Sequence, residues 1–232
     1  GRDHATTVKL GLDKDGKFVG MQVHTTANLG AYLSTFATSV PTILYATLLA
    51  GQYATPKIWC EVDAMFTNTA PVDAYRGAGR PEATYLLERI VETAGHEMGI
   101  DPAEIRRRNL IMADEFPYRT APGIIWDKSA FQECLAAACA KGGYDDLRRW
   151  QAQARAEGRW VGIGLASYAE LTGIGSRIAV APGMPINTGT ETASIRIDST
   201  GAITADFGIA SHGQGLETTL AQVVADELGC AF

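Results

Sequence analysis

Alternating apolar and polar residues, together with one apolar run, predict six β-strands along the chain. They cover residues 8–12, 17–23, 58–66, 161–170, 193–198 and 202–207. The first pair and the last pair are predicted hairpins, closed by Asp13-Lys14-Asp15-Gly16 and by Ser199-Thr200-Gly201. The similarity of the two turns has two explanations: two related halves, or chance repetition of a common Asp-x-x-Gly turn.

Helical spacing of apolar residues predicts two helices that each begin behind a glycine turn. The first begins near Pro81, and its apolar face consists of Leu86, Leu87, Ile90, Val91, Ala94 and Met98. The second begins near Gly215, and its apolar face consists of Leu216, Leu220, Val223, Val224 and Leu228. Each helix therefore has one side suited to packing and an N-terminus that opens from a flexible turn.

The remaining pattern predicts three shorter helices and two loops. Asp101 caps a short surface helix whose last turn, Arg106 to Arg108, complements the helix dipole. Two further helices are predicted near residues 129–141 and 145–157, after a loop-rich connection. A long ordered loop is predicted over residues 171–190. The fold class is therefore predicted as α+β, with mixed sheets and packed helices.

The first glycine turn, residues 73–82, is suited to an anionic ligand or to negative charge that develops during a reaction. Gly77 and Gly79 permit a sharp turn and the close approach of another molecule. The helix N-terminus behind them presents N–H groups and the positive end of a dipole, and Arg76 and Arg80 flank the turn. By itself, the turn favours the simpler interpretation of an ordinary loop with two solvated arginines.

The second glycine turn, residues 211–215, makes a ligand more plausible because it repeats the arrangement. Thr218 and Gln222 lie four residues apart, so they share one face of the following helix. Such neutral hydrogen-bonding groups suit a ligand with amide and phosphate edges, and the alternative is an exposed polar face. Neither turn matches a P-loop or the Gly-x-Gly-x-x-Gly pattern of dinucleotide-binding folds.

Composition limits the function classes. The chain has 232 residues, 46% of them hydrophobic, which suffices for one large domain or two small ones. The net charge of −6 argues against a nucleic-acid partner or an anionic membrane surface. The apolar run over residues 40–51 is too short to span a membrane.

Cysteines and histidines give no recognisable metal pattern. The four cysteines, Cys60, Cys134, Cys139 and Cys230, form no Cys-x-x-Cys pair, and the four histidines are dispersed. We therefore expect buried free thiols in a reducing cytoplasm and no metal ligated by protein side chains. Glu170, at the end of a predicted strand, is either a hidden acid or a structural hydrogen-bonding or surface carboxylate, and the second interpretation is favoured.

Several segments together resemble the molybdenum-binding large subunit of the xanthine dehydrogenase, aldehyde oxidase and aerobic carbon monoxide dehydrogenase family. The resemblance covers essentially the whole chain. Its segments are residues 1–6, 28–32, 74–82 (Ala-Tyr-Arg-Gly-Ala-Gly-Arg-Pro-Glu), 101–109 and 212–222. Each segment alone is weak evidence, but their number and order are specific.

The resemblance implies the cofactor, a molybdenum-pterin, taken as molybdopterin cytosine dinucleotide, and residues that would line it. Arg76 would be catalytic, on the substrate side of the metal. Cofactor-binding residues would be Tyr75, Gly77, Ala78, Gly79, His212, Gly213, Gln214, Gly215, Thr218 and Gln222. The two turns would then have to converge on one cleft, which is our expectation for the structure.

Two positions depart from subfamily patterns. Members that oxidise carbon monoxide carry a copper-binding cysteine directly after this arginine, whereas this chain has Gly77, so no copper is expected. Xanthine-type members have Phe before the arginine and an aromatic residue two positions after it. Tyr75 and Ala78 stand there, which argues against purine stacking at this loop.

The resemblance also implies an organisation for the chain. Residues 1–110 would be a first molybdopterin-binding segment, residues 111–158 a loop and helical connection, and residues 159–232 a second segment truncated at its end. Family members are longer, with a Gly-Gly-x-Phe-Gly turn upstream and a catalytic glutamate downstream. We therefore expect an internal piece that is inactive alone.

The implied reaction is the hydroxylation of an aldehyde or N-heterocycle, with electrons passed to partner subunits. Those partners would be an iron–sulfur small subunit, an FAD medium subunit and the remainder of the large subunit, assembled as a cytoplasmic dimer of heterotrimers. The alternative is a non-catalytic module that contributes cofactor-binding surface or subunit contacts. A third hypothesis is an unrelated phosphate-binding enzyme that uses the two helix N-termini.

Overall fold

The computed structural model describes residues 3–170, 178–181, 184–186 and 192–232. It divides into two compact units, Gly1–Glu170 and Leu171–Phe232. In these ranges no helix combines the length and apolar character needed to cross a membrane. The three predicted segments follow the cofactor motifs rather than these units, and their boundaries stay a prediction.

A three-stranded sheet organises the first unit. Its strands are β1 (His4–Leu12), β2 (Phe18–Gly30) and β3 (Ile58–Phe66), with β2 in the centre, antiparallel to β1 and parallel to β3. The β1–β2 hairpin closes as predicted, because the Asp13 carboxylate accepts the backbone N–H groups of Asp15 and Lys17 at 2.8 and 2.9 Å. The predicted hairpin and third strand are confirmed.

The core lies on one face of this sheet. Along β2, buried and exposed residues alternate, and the buried set includes Met21, Val23 and Ala27. Helix α1 (Arg80–Met98) packs against β1 and against α2 (Pro102–Asn109). Most of the predicted apolar face of α1 is buried, so both helices are confirmed, as is the Asp101 cap, which accepts the N–H of Ala103 at 2.8 Å.

The crossover from β2 to β3 contains an element that the sequence pattern did not reveal. Val40–Leu44 form a short π-helix, a form often found at functional sites. The residues after it supply large, fully buried side chains, notably Tyr45, Leu49 and Tyr53. This connection is therefore part of the core.

After α2, the first unit contains two longer helices and one small hairpin. Helices α3 (Phe131–Gly142) and α4 (Tyr144–Ala156) confirm the two predicted helices within a few residues. The predicted loop before them contains two short paired strands, β4 (Tyr118–Arg119) and β5 (Ile125–Trp126).

The buried strand predicted over residues 161–170 is wrong. This segment pairs with no strand in the part of the chain that the structure describes, and its residues are half-buried or exposed. Side chains hold its backbone instead: Arg106 donates to the Leu165 carbonyl, and the Ser167 N–H donates to Glu88, both at 2.8 Å. Periodicity alone does not distinguish a segment held in this way from a paired strand.

The prediction of a surface position for Arg106 is also wrong. Its side chain is fully buried and donates to Glu88 at 2.9 Å and to Glu92 at 3.0 Å, while Tyr53 donates to Glu88 at 2.6 Å. Burial by itself would lower the pKa of Arg106, but the attraction of Glu88, the neighbouring Tyr53 and the hydrogen bonds to Glu88 and Glu92 together outweigh it, and the pKa is raised. Burial and the same carboxylate raise the pKa of Tyr53 well above its usual value.

The second unit is smaller. Strands β6 (Ile178–Ala181) and β7 (Met184–Ile186) pair within the segment predicted as a long loop, whose other residues, up to residue 191, lie outside the described ones. Strands β8 (Ala193–Ile197) and β9 (Ile203–Phe207) confirm the second predicted hairpin, and α5 (Leu216–Leu228) confirms the last helix.

The cysteine prediction is correct in one respect and wrong in another. All four thiols are free, but none is buried: Cys60 and Cys139 are half-buried, and Cys134 and Cys230 are exposed. Partial burial raises the pKa of the Cys60 thiol, which keeps it protonated.

Candidate functional site

The arginine turn, residues 75–80, has an unusual backbone. Three consecutive residues have positive φ: Gly77 at +100°, Ala78 at +40° and Gly79 at +88°. The strain falls on Ala78, since an L-residue rarely adopts this region and keeps it only where the surroundings impose it. Its N–H donates to the Tyr75 carbonyl at 2.9 Å. Conformations of this kind concentrate at ligand clamps and active sites.

Gly79 fixes the turn against the π-helical crossover. A Cβ atom on Gly79 would lie 2.0 Å from the carbonyl oxygen of Val40 and 2.9 Å from the N atom of Tyr45. Both neighbours are backbone atoms and cannot rotate away, so only glycine fits. The position of the turn thus depends on a backbone-to-backbone contact with the core.

Helix α1 starts without a side-chain cap. Gly79 is the N-cap residue and has no side chain to accept from the first turn, while Pro81 at the second helical position has no N–H. The N–H of Arg80 donates to the Gly77 carbonyl at 3.1 Å. Such a helix start, with its partial positive charge, fits a phosphate or another anionic group.

The two arginines of the turn occupy different environments. Arg76 and Tyr75 are exposed, whereas Arg80 is only 8% exposed and donates from Nη1 to the Gly77 carbonyl at 3.3 Å. The interpretation of two solvated arginines is therefore wrong for Arg80. Burial lowers the pKa of Arg80, and the nearby Glu170 carboxylate opposes that shift.

Glu170 reaches the arginine turn from the segment predicted as a strand. Its Oε1 atom lies 3.6 Å from the position that a Cβ atom on Gly77 would take. The sequence left Glu170 open as a hidden acid or as a structural or surface carboxylate. The structure places it beside Gly77, a predicted site residue. The periodicity of the segment carries no signal for this contact, which depends on how residues 161–170 dock.

A cavity of about 560 Å³ opens beside the start of α1. Its lining includes His4, Tyr45, Glu82 and Arg89, so it presents both signs of charge and aromatic surface. His4 packs edge-on against Tyr45 with ring centroids 5.2 Å apart, and partial burial lowers the pKa of His4. The cavity can accept a polar ligand of moderate size.

The second turn has the same local form. Gly213 and Gly215 have positive φ, +95° and +76°, and Gly215 is the N-cap of α5 without a side-chain cap. Gln214 folds back and accepts the backbone N–H of His212, whose Nδ1 contacts the Ala210 carbonyl at 3.1 Å. Of the residues that the structure describes, none would lie within 4 Å of a Cβ atom on Gly215.

Thr218 and Gln222 are exposed on α5, and neither side chain has a hydrogen-bond partner in the described parts of the chain. The neighbouring Thr219 differs, because its hydroxyl donates to the Gly215 carbonyl at 3.1 Å. Thr218 and Gln222 therefore keep donors and acceptors for a ligand. Their role, and the expected convergence of the two turns on one cleft, stay predictions.

One group of side chains has the types and spacing that a cation prefers. Ligand atoms of His24, Glu61 and Asp63 lie within 4.8 Å of one another, and all three residues are exposed on the parallel pair β2–β3. His24 and Asp63 are hydrogen-bonded at 2.8 Å. Exposed carboxylates often meet in this way without a metal. The prediction that protein side chains ligate no metal stays untested.

Comparison with known proteins matches two ranges of the chain to cofactor-binding domains. Residues 1–110 match one family model described as a molybdopterin cofactor-binding domain, and residues 137–232 match a second with the same description. The first range contains the arginine turn, and the second contains the second glycine turn, residues 211–215.

Individual relatives agree with the family models. The nicotine 6-hydroxylase large subunit of Paenarthrobacter nicotinovorans is 31% identical over 97% of this chain. The crystal structure of quinoline 2-oxidoreductase from Pseudomonas putida 86 matches with a TM-score of 0.85 and 33% identity over 97% of the chain. That of the Cu,Mo-CO dehydrogenase matches with a TM-score of 0.79 and 32% identity over 98%. This chain spans only 28–29% of the length of these proteins.

Proposed function

Because the chain belongs to the family of molybdopterin cofactor-binding domains, we propose that it forms part of the large subunit of a molybdenum hydroxylase. The observation that carries this proposal is the arginine turn. Three residues of positive φ lead into an uncapped helix start, and the exposed Arg76 lies beside them. A strained backbone, the positive end of the helix dipole and a guanidinium together suit a bound anionic cofactor and a reaction in which negative charge develops.

The residues of this chain would hold and orient the cofactor. The backbone at Tyr75, Gly77, Ala78 and Gly79 would pass close to it. On the second turn, His212, Gly213, Gln214 and Gly215 would present backbone and amide groups, and Thr218 and Gln222 would bond to the pterin and its dinucleotide extension. When bound, the molybdenum-pterin supplies the two-electron redox chemistry by which water-derived oxygen enters the substrate.

Arg76 would act on the substrate side of the site. Its guanidinium offers a planar fork of N–H donors. A donor fixed where negative charge develops lowers the barrier more than it lowers the energy of the bound substrate. The exposure of Arg76 on a fixed turn supports this role, because an exposed guanidinium can meet a substrate without leaving a core position.

We further propose the cytosine dinucleotide form of the cofactor and no copper. Copper would need a soft ligand such as a thiolate beside the arginine, and Gly77 provides no side chain. Elemental analysis of the complete protein tests this. We expect molybdenum without stoichiometric copper, and copper equal to molybdenum would contradict the proposal.

The proposed substrates are aldehydes or N-heterocycles. Two relatives, named for nicotine and quinoline, support N-heterocycles. The proposed assembly is a cytoplasmic dimer of heterotrimers with iron–sulfur and FAD subunits that carry electrons away. Purification of the natural complex, followed by mass spectrometry of its chains and cofactors, tests this assembly.

Substitution of Arg76 in the complete enzyme tests the catalytic role. Arg76→Ala should lower kcat by roughly a hundred- to a thousandfold, because a donor to transition-state charge is lost. Arg76→Lys should recover only part of it, since an ammonium lacks the fork. Arg149→Ala, which removes an exposed arginine on α4, is the matched control. Near-normal turnover combined with a lower melting temperature would show that Arg76 is structural.

A further inference from the structure

We propose that Arg80 is a positioning residue of this site. Its buried guanidinium and the Glu170 carboxylate fix the arginine turn around Gly77, and the arrangement reduces folding stability. The inference rests on the proposed function, because it concerns how the turn that carries Arg76 is held. Neither residue belongs to the cofactor-binding set predicted from the sequence.

Arg80 holds the carbonyl of Gly77 twice. Its backbone N–H donates to that oxygen at 3.1 Å and its Nη1 donates to the same atom at 3.3 Å. The carbonyl belongs to the peptide that leads into Ala78, the strained residue with φ of +40°. A strained residue persists only where neighbouring groups over-determine it, and Arg80 supplies two of those constraints.

Glu170 also approaches Gly77. Its Oε1 atom lies 3.6 Å from the position of a Gly77 Cβ, and its charge stabilises the guanidinium of Arg80. The two opposite charges therefore both lie near one glycine. They come from residues ninety positions apart in sequence. A side chain at position 77 would also meet Pro81, whose Cγ would lie 2.5 Å from it.

The burial of Arg80 lowers the stability of the folded state. Its side chain is 92% removed from solvent, yet Nε–H has no hydrogen-bond acceptor among the residues that the structure describes. Burying a charged donor without an acceptor is unfavourable, and an apolar side chain of similar size is often as stable or more stable. If Arg80 served folding alone, its guanidinium would be a poor choice. A residue that lowers stability and fixes the reacting part of a site is typical of functional positions.

The test uses Arg80→Met in the complete enzyme, with Arg149→Met as the matched surface control. We expect an unchanged or higher melting temperature, because a buried charge is removed. We expect kcat to fall about tenfold to a hundredfold while KM changes less, since small displacements of positioned groups have effects of this size. The electron paramagnetic resonance spectrum of the molybdenum should change as well. Arg80→Lys should recover only part of kcat.

Two further measurements make the result decisive. Amide hydrogen exchange in residues 75–79 should accelerate in Arg80→Met, whether or not the cofactor is loaded. Glu170→Gln should change kcat in the same direction, and the double variant with Arg80→Met should lose less than the product of the two single losses.

The failure of this inference is distinguishable from the failure of the proposed function. The positioning role would be overturned by two results found together. Arg80→Met would have a lower melting temperature or fail to fold, and Arg80→Lys would have the hydrogen exchange, kcat and spectrum of the wild type. A wild-type complete protein without molybdenum would instead overturn the proposed function, and the exchange and melting results would still decide how Arg80 holds the turn.

Discussion

The two glycine turns have the same local design but different surroundings. Each has positive-φ glycines, each leads into a helix, and neither helix has a side-chain cap. At the arginine turn, however, a Cβ on Gly79 would lie 2.0 Å from the Val40 carbonyl oxygen, whereas one on Gly215 would lie more than 4 Å from every described neighbour. Two turns of similar local design therefore differ in packing. The first is in close contact with the core of its unit, and the second has free space around Gly215 in the described part of the chain.

The helices behind the turns differ in the same way. Helix α1 buries most of its apolar face, and the Glu88–Arg106 pair ties it to α2 and to residues 161–170. On α5 only Ala225 is buried, while Val223 and Leu228 are 58% and 43% exposed. The comparison indicates that the first turn is preorganised by its own unit, whereas the second has little packing of its own to hold it.

Gly79→Ala should have the largest effect. The new Cβ would collide with two backbone atoms, and the alanine would have to adopt a left-handed backbone conformation. We therefore expect a loss of about 4 kcal/mol or more in the free energy of unfolding. Thermal melting of the complete protein, with hydrogen exchange in α1, measures it. A variant with wild-type melting and exchange would show that the turn is not locked against the crossover.

Arg106→Met should be nearly as severe. It leaves Glu88 buried without its cation, and loss of one member of a buried pair costs about 3–5 kcal/mol. Arg107→Met is the control, since Arg107 is half exposed and pairs at the surface with Glu104; it should change stability by no more than about 0.5 kcal/mol. Equal effects of the two substitutions would remove the argument that this network supports α1.

Gly215→Ala should cost much less than Gly79→Ala. No described atom obstructs the new Cβ, so only the left-handed backbone is penalised, by roughly 1–2 kcal/mol. Exchange in α5 should rise modestly, while exchange in α1 stays as in wild type. An effect as large as that of Gly79→Ala would mean that the second turn is also tightly packed in the complete protein.

The smallest effect concerns pH. Burial lowers the pKa of His4 in the folded state below its unfolded value near 6.5, so the unfolded state binds more protons. The stability associated with neutral His4 is present above pH 6.5 and is lost as pH falls through the lowered pKa. His4→Gln should therefore show a smaller fall in melting temperature than wild type between pH 7.5 and pH 5.5. Parallel curves for the two proteins would contradict this.

Local signals in the sequence predicted most of the elements. The two Asp turns illustrate why: Asp13 and Asp198 each accept backbone N–H groups two and four residues later. Such turns depend on neighbouring residues only, so a sequence contains what is needed to recognise them. The caps and spacing of α1, α2 and α5 are local in the same sense.

Predictions that depended on distant partners failed. Arg106 was expected at the surface because its helix position complements the dipole. Its side chain is buried instead, and the carboxylates that accept its hydrogen bonds, Glu92 and Glu88, lie 14 and 18 residues earlier. Residues 161–170 were expected as a strand because they are apolar, yet side chains of α1 and α2 bind their backbone. Neither partnership leaves a periodic signal.

The sequence by itself determined the two glycine turns, the helices that follow them and the family to which they belong, because turn chemistry, capping and motif order are properties of short segments. Only the tertiary structure decided that Gly79 abuts Val40, that Arg80 is buried while Arg76 is exposed, and that Glu170 lies beside Gly77. These outcomes depend on which surfaces the folded chain brings together across tens of residues. Burial and charge pairing act through space, so two arginines of a single turn can have one solvent-facing and one core-facing side chain.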